Sequence, residues 1–248
     1  MASASRPMPV PRAVQSTIRV HHALTARGER RLMEFLAKRA PRWLTSDQLT
    51  LLGLVGQAGA GLAYALSGTH RNALWLVDFC LVVNWLGDSL DGTLARVRRQ
   101  ERPRFGFYVD HVLDCIGAVL LLTGLAASGL VHREIAGAML VGFLLLAAES
   151  YLAAQTLHRF ALSQGWFGPT ELRLLLIAAN CALLRSPYVH LFERRWLLFD
   201  VGGLVGSTGM GALLLGVVAR HTLELYRAEP LADRPVSRNP LENHHPRS

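Results

Sequence analysis

Four aspartates stand in otherwise apolar sequence at spacings that could do chemistry. The segment reads Asn84-Trp-Leu-Gly-Asp88-Ser-Leu-Asp91-Gly92-Thr-Leu-Ala95-Arg96; nine residues later comes Gly106-Phe-Tyr-Val-Asp110-His111-Val-Leu-Asp114. On a helix Asp88, Asp91, Gly92 and Ala95 share one face, and Gly106, Asp110 and Asp114 share another at intervals of four. A connection as short as Val97 to Phe105 makes two such helices antiparallel neighbours. Asp88 then lies about eight residues before the end of its helix and Asp114 about eight after the start of the next, each roughly 12 Å in at about 1.5 Å per residue. Four carboxylates at one depth would repel and take up protons if left alone. Hard divalent cations with oxygen ligands, Mg²⁺ or Mn²⁺, resolve that conflict, and four carboxylates suit two ions about 3.5 to 4 Å apart. Gly92 and Gly106 remove side-chain bulk one turn from a ligand, where a substrate must approach closely.

The elements that must position these acids are apolar spans. Of 248 residues, 51% are AVILMFWYC and 18% DEKR, with 22 glycines and a net charge of +8. This combination argues against disorder and against a soluble domain. Beyond Trp43, six apolar stretches follow, at 49–68, 72–95, 107–130, 135–157, 171–191 and 197–218. Each is long enough to cross about 30 Å of hydrocarbon as a helix. The fifth is interrupted by Arg173, Asn180 and Arg185. The expected fold is therefore an all-α integral membrane protein with six transmembrane helices. Glycines recur in the first span (Gly53, Gly56, Gly59, Gly61) and the last (Gly202, Gly203, Gly206, Gly209, Gly211), at small-xxx-small spacings that allow close helix packing.

Ahead of the spans, Leu32, Phe35 and Leu36 recur at helical spacing among Arg27, Arg30, Arg31, Lys38 and Arg39. This predicts an N-terminal amphipathic helix over 25–39, either on a membrane surface or solvated. The arm from Arg6 to Arg12 lacks the apolar core of a secretory signal. The chain thus divides into an arm and juxtamembrane helix at 1–43, a six-helix domain at 44–220, and a Pro-rich tail at 221–248 expected to be disordered. Three cysteines, Cys80, Cys115 and Cys181, lie far apart in apolar runs, so neither a disulfide framework nor a zinc site is indicated.

Charge placement reads as topology. Nine basic residues precede the first span, five lie from Arg96 to Arg104, Arg159 and Arg173 flank the third inner connection, and five lie in the tail. Only Arg71, Arg133, Arg185, Arg194 and Arg195 of the 26 fall outside. The positive-inside rule then places both termini in the cytoplasm, and the Arg-rich composition suggests a bacterial inner membrane. It also accounts for the basic excess without nucleic acid, for which no binding motif is present.

The pattern DxxDGxxAR followed by GxxxDxxxD resembles the signature of the CDP-alcohol phosphotransferase (CDP-alcohol phosphatidyltransferase) family, membrane enzymes of phospholipid synthesis with a six-helix core. All eight signature positions are present: Asp88, Asp91, Gly92, Ala95, Arg96, Gly106, Asp110 and Asp114. The nine residues between Arg96 and Gly106 exceed the family's usual seven or eight, a difference that concerns the loop more than the metal site. Leu44-Thr-Ser-Asp47-Gln-Leu-Thr50-Leu-Leu-Gly53 is similar to the family's stretch leading into the first helix, with Asp47 where Asn is common. The resemblance implies that Asp88, Asp91 and Asp110 hold two divalent ions on the diphosphate of a CDP-alcohol, with Asp114 a ligand or the general base. Arg96 would orient the site or contact phosphate; Gly92, Ala95 and Gly106 would make room for the nucleotide. An acceptor hydroxyl attacks the phosphorus bearing the alcohol and CMP leaves. The resemblance further implies a homodimer.

Other side chains are candidates with two readings each. His111 is similar to the histidine of the DHxxD variant in the family's choline and ethanolamine phosphotransferases, where it assists deprotonation; it could equally be a hydrogen-bonding support. Glu149, at the depth of the aspartates, suits either an acceptor contact or a helix–helix hydrogen bond. Arg173 suits either phosphate binding or an ordinary helix start after Pro169. Asp78, about 15 Å outward of Asp88 by helix rise, is not expected to ligate metal. The donor could be a CDP-lipid with a small polar acceptor, or a small CDP-linked head group with a lipid acceptor; His111 leans toward the second. Two other classes remain open: an ion-coupled transporter that uses intramembrane carboxylates, and an inactive scaffold.

Overall fold

The computed structural model describes residues 26–157, 169–191 and 193–229. The arm from Arg6 to Arg12, Arg159 and the tail from Pro230 lie outside them. In chain order the elements are α1 (Ala26–Arg39), α2 (Ser46–Ser67), α3 (Ala73–Arg98), α4 (Pro103–Ala127), α5 (Arg133–Thr156), α6 (Pro169–Arg185), β1 (Tyr188–Leu191), β2 (Arg194–Leu197) and α7 (Leu198–Ala228). Five of them, α2, α3, α4, α5 and α7, are long and apolar enough to cross a membrane. The protein is an all-α integral membrane protein with a small hairpin attached.

Local sequence sets several helix ends. Thr45 and Gln48 form a reciprocal capping box at α2, with the Gln48 amide donating to Thr45 Oγ1 at 3.2 Å and the Thr45 amide to Gln48 Oε1 at 2.9 Å. Pro103 opens α4, where a missing N–H costs nothing. Arg99 closes α3 in the left-handed region (φ 55°), and the Gln100 amide donates back to the Ala95 carbonyl at 2.9 Å. Helices claim both ends of the nine-residue stretch between Arg96 and Gly106, leaving 99–102 as the connection.

The fifth stretch departs from expectation. Hydropathy predicts a helix reaching 191, but α6 is 17 residues long and ends at Arg185. Pro187 explains the stop, because it lacks an N–H and disfavours helical backbone at Ser186. The chain then turns into an antiparallel hairpin pairing Tyr188 with Leu197 and Leu191 with Arg194. At the far end, α7 runs through Ala228, past the boundary drawn at Arg220.

Among lipid tails apolar burial gives little drive for helices to associate, so close contact and polar pairs decide the packing. Helices α2 and α3 touch backbone to backbone. A Cβ on Gly87 would lie 2.6 Å from the Gly53 nitrogen, and one on Gly56 would lie 2.7 Å from the Asn84 nitrogen. Helix α4 meets α2 in the same way, with Gly124 set against the Gly61 carbonyl. Of the last span's glycines, Gly203 alone meets a neighbour, on Ile135 and Met139; Gly202, Gly206, Gly209 and Gly211 face open space among the described residues.

Helix α1 is docked on protein rather than free. Met33 and Ala37 are buried against Leu49, Leu90 and Leu94, while Leu32 and Phe35 stay exposed. Arg98 fixes the link between α1 and α2 by donating to the Pro41 carbonyl at 2.7 Å, to the Ala40 carbonyl at 3.2 Å and to the Leu44 carbonyl. At the opposite end of the bundle, Asp78 lies in a buried network: Asn180 Nδ2 donates to Asp78 Oδ1 at 2.7 Å and Tyr64 Oη to Asn180 Oδ1 at 2.9 Å. This pairing keeps Asp78 as a structural acid.

Candidate metal centre and active site

The α2–α3–α4 contact creates one small cleft, about 20 Å³ in volume, walled by Thr50, Gly53 and Gln57 of α2, Asn84, Asp88 and Asp91 of α3, and Asp110 and Asp114 of α4. Carboxylate oxygens of Asp88, Asp110 and Asp114 come within 4.8 Å of one another. The i, i+4 spacing on α4 and the antiparallel crossing with α3 bring this about. Each of the three is half-buried.

Asp91 lines the same cleft and is held by other groups. Thr50 Oγ1 donates to Asp91 Oδ2 at 2.6 Å, and the Gly92 amide donates to Asp91 Oδ1. Ser46 Oγ donates to the Asp91 carbonyl at 3.0 Å. A carboxylate so fixed loses little freedom on binding an ion, which favours binding.

Arg173 enters from α6. Its Nη2 donates to Asp88 Oδ2 at 2.7 Å and its Nε to Asn84 Oδ1 at 2.8 Å. Asn84 in turn donates from Nδ2 to the Gly53 carbonyl at 2.9 Å. The start-signal reading of Arg173 therefore captures only its place in α6, since the side chain reaches the acids. One guanidinium against four carboxylates leaves an excess of negative charge. All the donors are oxygens, the set preferred by Mg²⁺ and Mn²⁺. The residues present thus fit divalent cations.

The remaining sequence-selected residues divide by place. Gly92 and Gly106 border open space: a Cβ on Gly92 would meet nothing nearer than Arg96 Nη1 at 3.8 Å, and one on Gly106 nothing within 4 Å. Ala95 is half-buried on the last turn of the Asp88–Asp91 face. Arg96 is exposed, with Nη2 donating to Thr93 Oγ1 at 3.0 Å. His111 is buried behind the cleft rather than on its wall. Its ring stacks on Phe107 at 4.1 Å between centroids, and its Nδ1 is 3.6 Å from Asp110 Oδ2. Glu149 joins α5 to α7 through a 2.6 Å contact of its Oε1 with His221 Nδ1, which is the helix–helix alternative. Asp47 sits at the start of α2, paired with Arg102.

Thr50, Gln57 and Asn84 line the cleft although the signature does not include them. Each carried a usable signal. Asn84 is one turn before Asp88 on the same face, and Thr50, Gly53 and Gln57 recur at offsets of three and seven along α2.

Comparison with known proteins agrees with this geometry. The chain is 30% identical over 99 residues to the archaetidylinositol phosphate synthase of Pyrococcus horikoshii, a match covering 40% of this chain and 50% of that protein. The match thus spans half the length of this curated relative. Residues 43–218, which contain the cleft and every helix that lines it, match the CDP-alcohol phosphatidyltransferase family, and the chain belongs to that family.

Proposed function

We propose that the protein is a Mg²⁺- or Mn²⁺-dependent CDP-alcohol phosphotransferase of phospholipid biosynthesis. The observation that carries this reading is the convergence of Asp88, Asp110 and Asp114 within 4.8 Å, beside Arg173. Asp88, Asp91, Asp110 and Asp114 would hold the ions, two by the resemblance. Bound there, the ions would neutralise the diphosphate and the charge that develops on departing CMP.

The chain's own residues do the rest. Thr50 and the Gly92 amide orient Asp91, and Arg173 orients Asp88. Gly92, Ala95 and Gly106 leave room for the donor, while Arg96, exposed at the same end, reaches toward its phosphates. Asp114 accepts the proton of the attacking hydroxyl. The acceptor oxygen bonds to the phosphorus that carries the donor's alcohol, and the bond from that phosphorus to the CMP oxygen breaks. His111 supports Asp110 from behind and so influences deprotonation indirectly. Both chain ends lie on the cytoplasmic side, α6 serves as a shorter sixth crossing, and two copies form a homodimer; the distribution of basic residues supports the first statement, the 17-residue length of α6, at the lower limit for a span, the second, and family resemblance the last.

Two donor classes are separable. The relative's name denotes synthesis of an inositol-phosphate lipid, which favours a CDP-lipid donor with a polar acceptor. His111 favours a CDP-linked head group with a lipid acceptor. Incubating the purified protein with a panel of CDP-alcohols and acceptors, and following CMP, identifies the class. Asp91→Asn is expected to abolish metal-dependent CMP release while the protein still inserts in the membrane. Full turnover by that variant would refute the assignment. Cation flux in liposomes without CMP release would indicate a transporter, and neither activity an inactive scaffold.

A further inference from the structure

Glu29 of α1 carries three donors from two other helices. Its Oε1 accepts from Trp85 Nε1 at 2.9 Å and from Ser89 Oγ at 2.6 Å, both on α3. Its Oε2 accepts from Thr170 Oγ1 of α6 at 3.1 Å. An acidic residue in the first turn of a helix needs only the helix dipole to explain it. Bonds reaching 56, 60 and 141 residues along the chain need a tertiary reason.

The partners indicate that reason. Trp85 and Ser89 flank Asn84 and Asp88 on α3, and Thr170 lies one turn before Arg173 on α6. Arg173 is the side chain that bonds to Asn84 and Asp88. Glu29 therefore ties together, from outside the cleft, the two helical turns whose inner sides form the Arg173–Asp88 pair. Met33 and Ala37 also pack α1 against Leu49, Leu90 and Leu94, so the clasp is not the sole anchor of α1.

We propose that Glu29 is a positioning residue of the metal centre, holding α3 and α6 in the register that seats Arg173 on Asp88. This rests on the reading of Asp88 as a metal ligand. Outer partners of a metal ligand typically alter affinity or activity about 10- to 100-fold when removed, and a group one step further out should alter it less, about 3- to 10-fold.

The test is Mn²⁺ binding to the full-length protein in detergent, read from the free-ion electron paramagnetic resonance signal, for Glu29→Ala, Thr170→Val, Arg173→Gln and the Glu29→Ala/Arg173→Gln double variant. Arg173→Gln is expected to shift the Mn²⁺ Kd, and Glu29→Ala and Thr170→Val to shift it in the same direction by about 3- to 10-fold. The double variant should match Arg173→Gln alone, because both changes break one linkage. If Glu29→Ala fails to fold, Thr170→Val, which cuts only the α6 arm, carries the comparison. A wild-type Kd in Thr170→Val, multiplying effects in the double variant, a silent Arg173→Gln, or no Mn²⁺ binding by wild type would each overturn the proposal. Failure of the enzymatic reading looks different: the Mn²⁺ coupling would be present while no CDP-alcohol yields CMP.

Discussion

Replacing Gly92 or Gly106 with alanine separates folding from substrate access. Both glycines are helical, and alanine in a helix interior is favoured over glycine by about 1 kcal/mol. The new methyl at Gly106 would have no neighbour within 4 Å, and that at Gly92 would meet only the tip of a flexible arginine at 3.8 Å. Neither variant should lose stability; thermal unfolding should be unchanged or shifted up. If the space is where the donor nucleotide lies against the helix, the methyl overpacks the complex instead. That costs about 1 to 3 kcal/mol, or roughly 5- to 150-fold in kcat/KM for CMP release at about 1.4 kcal/mol per tenfold. Gly87→Ala is the control. Its Cβ would lie 2.6 Å from the Gly53 nitrogen, 2.7 Å from the Leu49 carbonyl oxygen and 2.8 Å from the Gly53 Cα, all backbone atoms that cannot rotate aside. Here α2 and α3 must part, so unfolding temperature and activity should fall together. Wild-type kcat/KM in both Gly92→Ala and Gly106→Ala would refute the assignment of that space to substrate.

Thr50→Val removes a hydrogen bond to a charged carboxylate, worth about 1.5 to 3 kcal/mol, and should raise the metal concentration for half-maximal CMP release by tenfold or more; a rise below twofold would mean that Asp91 is oriented without it. Glu149→Gln retains an acceptor for His221 and should keep kcat/KM within a few-fold, whereas a hundredfold loss would move Glu149 into the acceptor site. Arg98→Ala removes a donor from three carbonyls of the α1–α2 link, of which that of Pro41 keeps the Leu44 amide, and should lower the unfolding temperature while the metal requirement of the folded enzyme stays constant. Chelation by EDTA should stop CMP release, and added Mg²⁺ or Mn²⁺ should restore it; activity persisting in EDTA would rule out the metal mechanism.

How far the sequence reaches depends on the range of the interaction involved. Helix existence, the pairing of Asp88 with Asp91 and of Asp110 with Asp114, and the start of α4 at Pro103 follow from spacing and backbone chemistry within a few residues, so they were legible. The hairpin after α6 was not, because a 3.6-residue apolar pattern runs through Tyr188 and Leu191 although Pro187 forbids the helix. Hydropathy registers the first fact and not the second.

The sequence by itself determined an apolar, basic chain of long helices with four carboxylates gathered at one depth, since those properties are set by composition and periodicity. It also determined that the acids need compensation, by protons or by cations, because like charges repel wherever they meet. Only the tertiary structure decided which partners hold them. Thr50 reaches Asp91 across 41 residues, Arg173 reaches Asp88 across 85, and Glu29 reaches Thr170 across 141. The α2–α3 crossing behind the first pair is fixed by glycine contacts whose partner is a backbone elsewhere in the chain, and the other two pairs depend on the packing of α6 and α1 against α3. No local pattern contains that information.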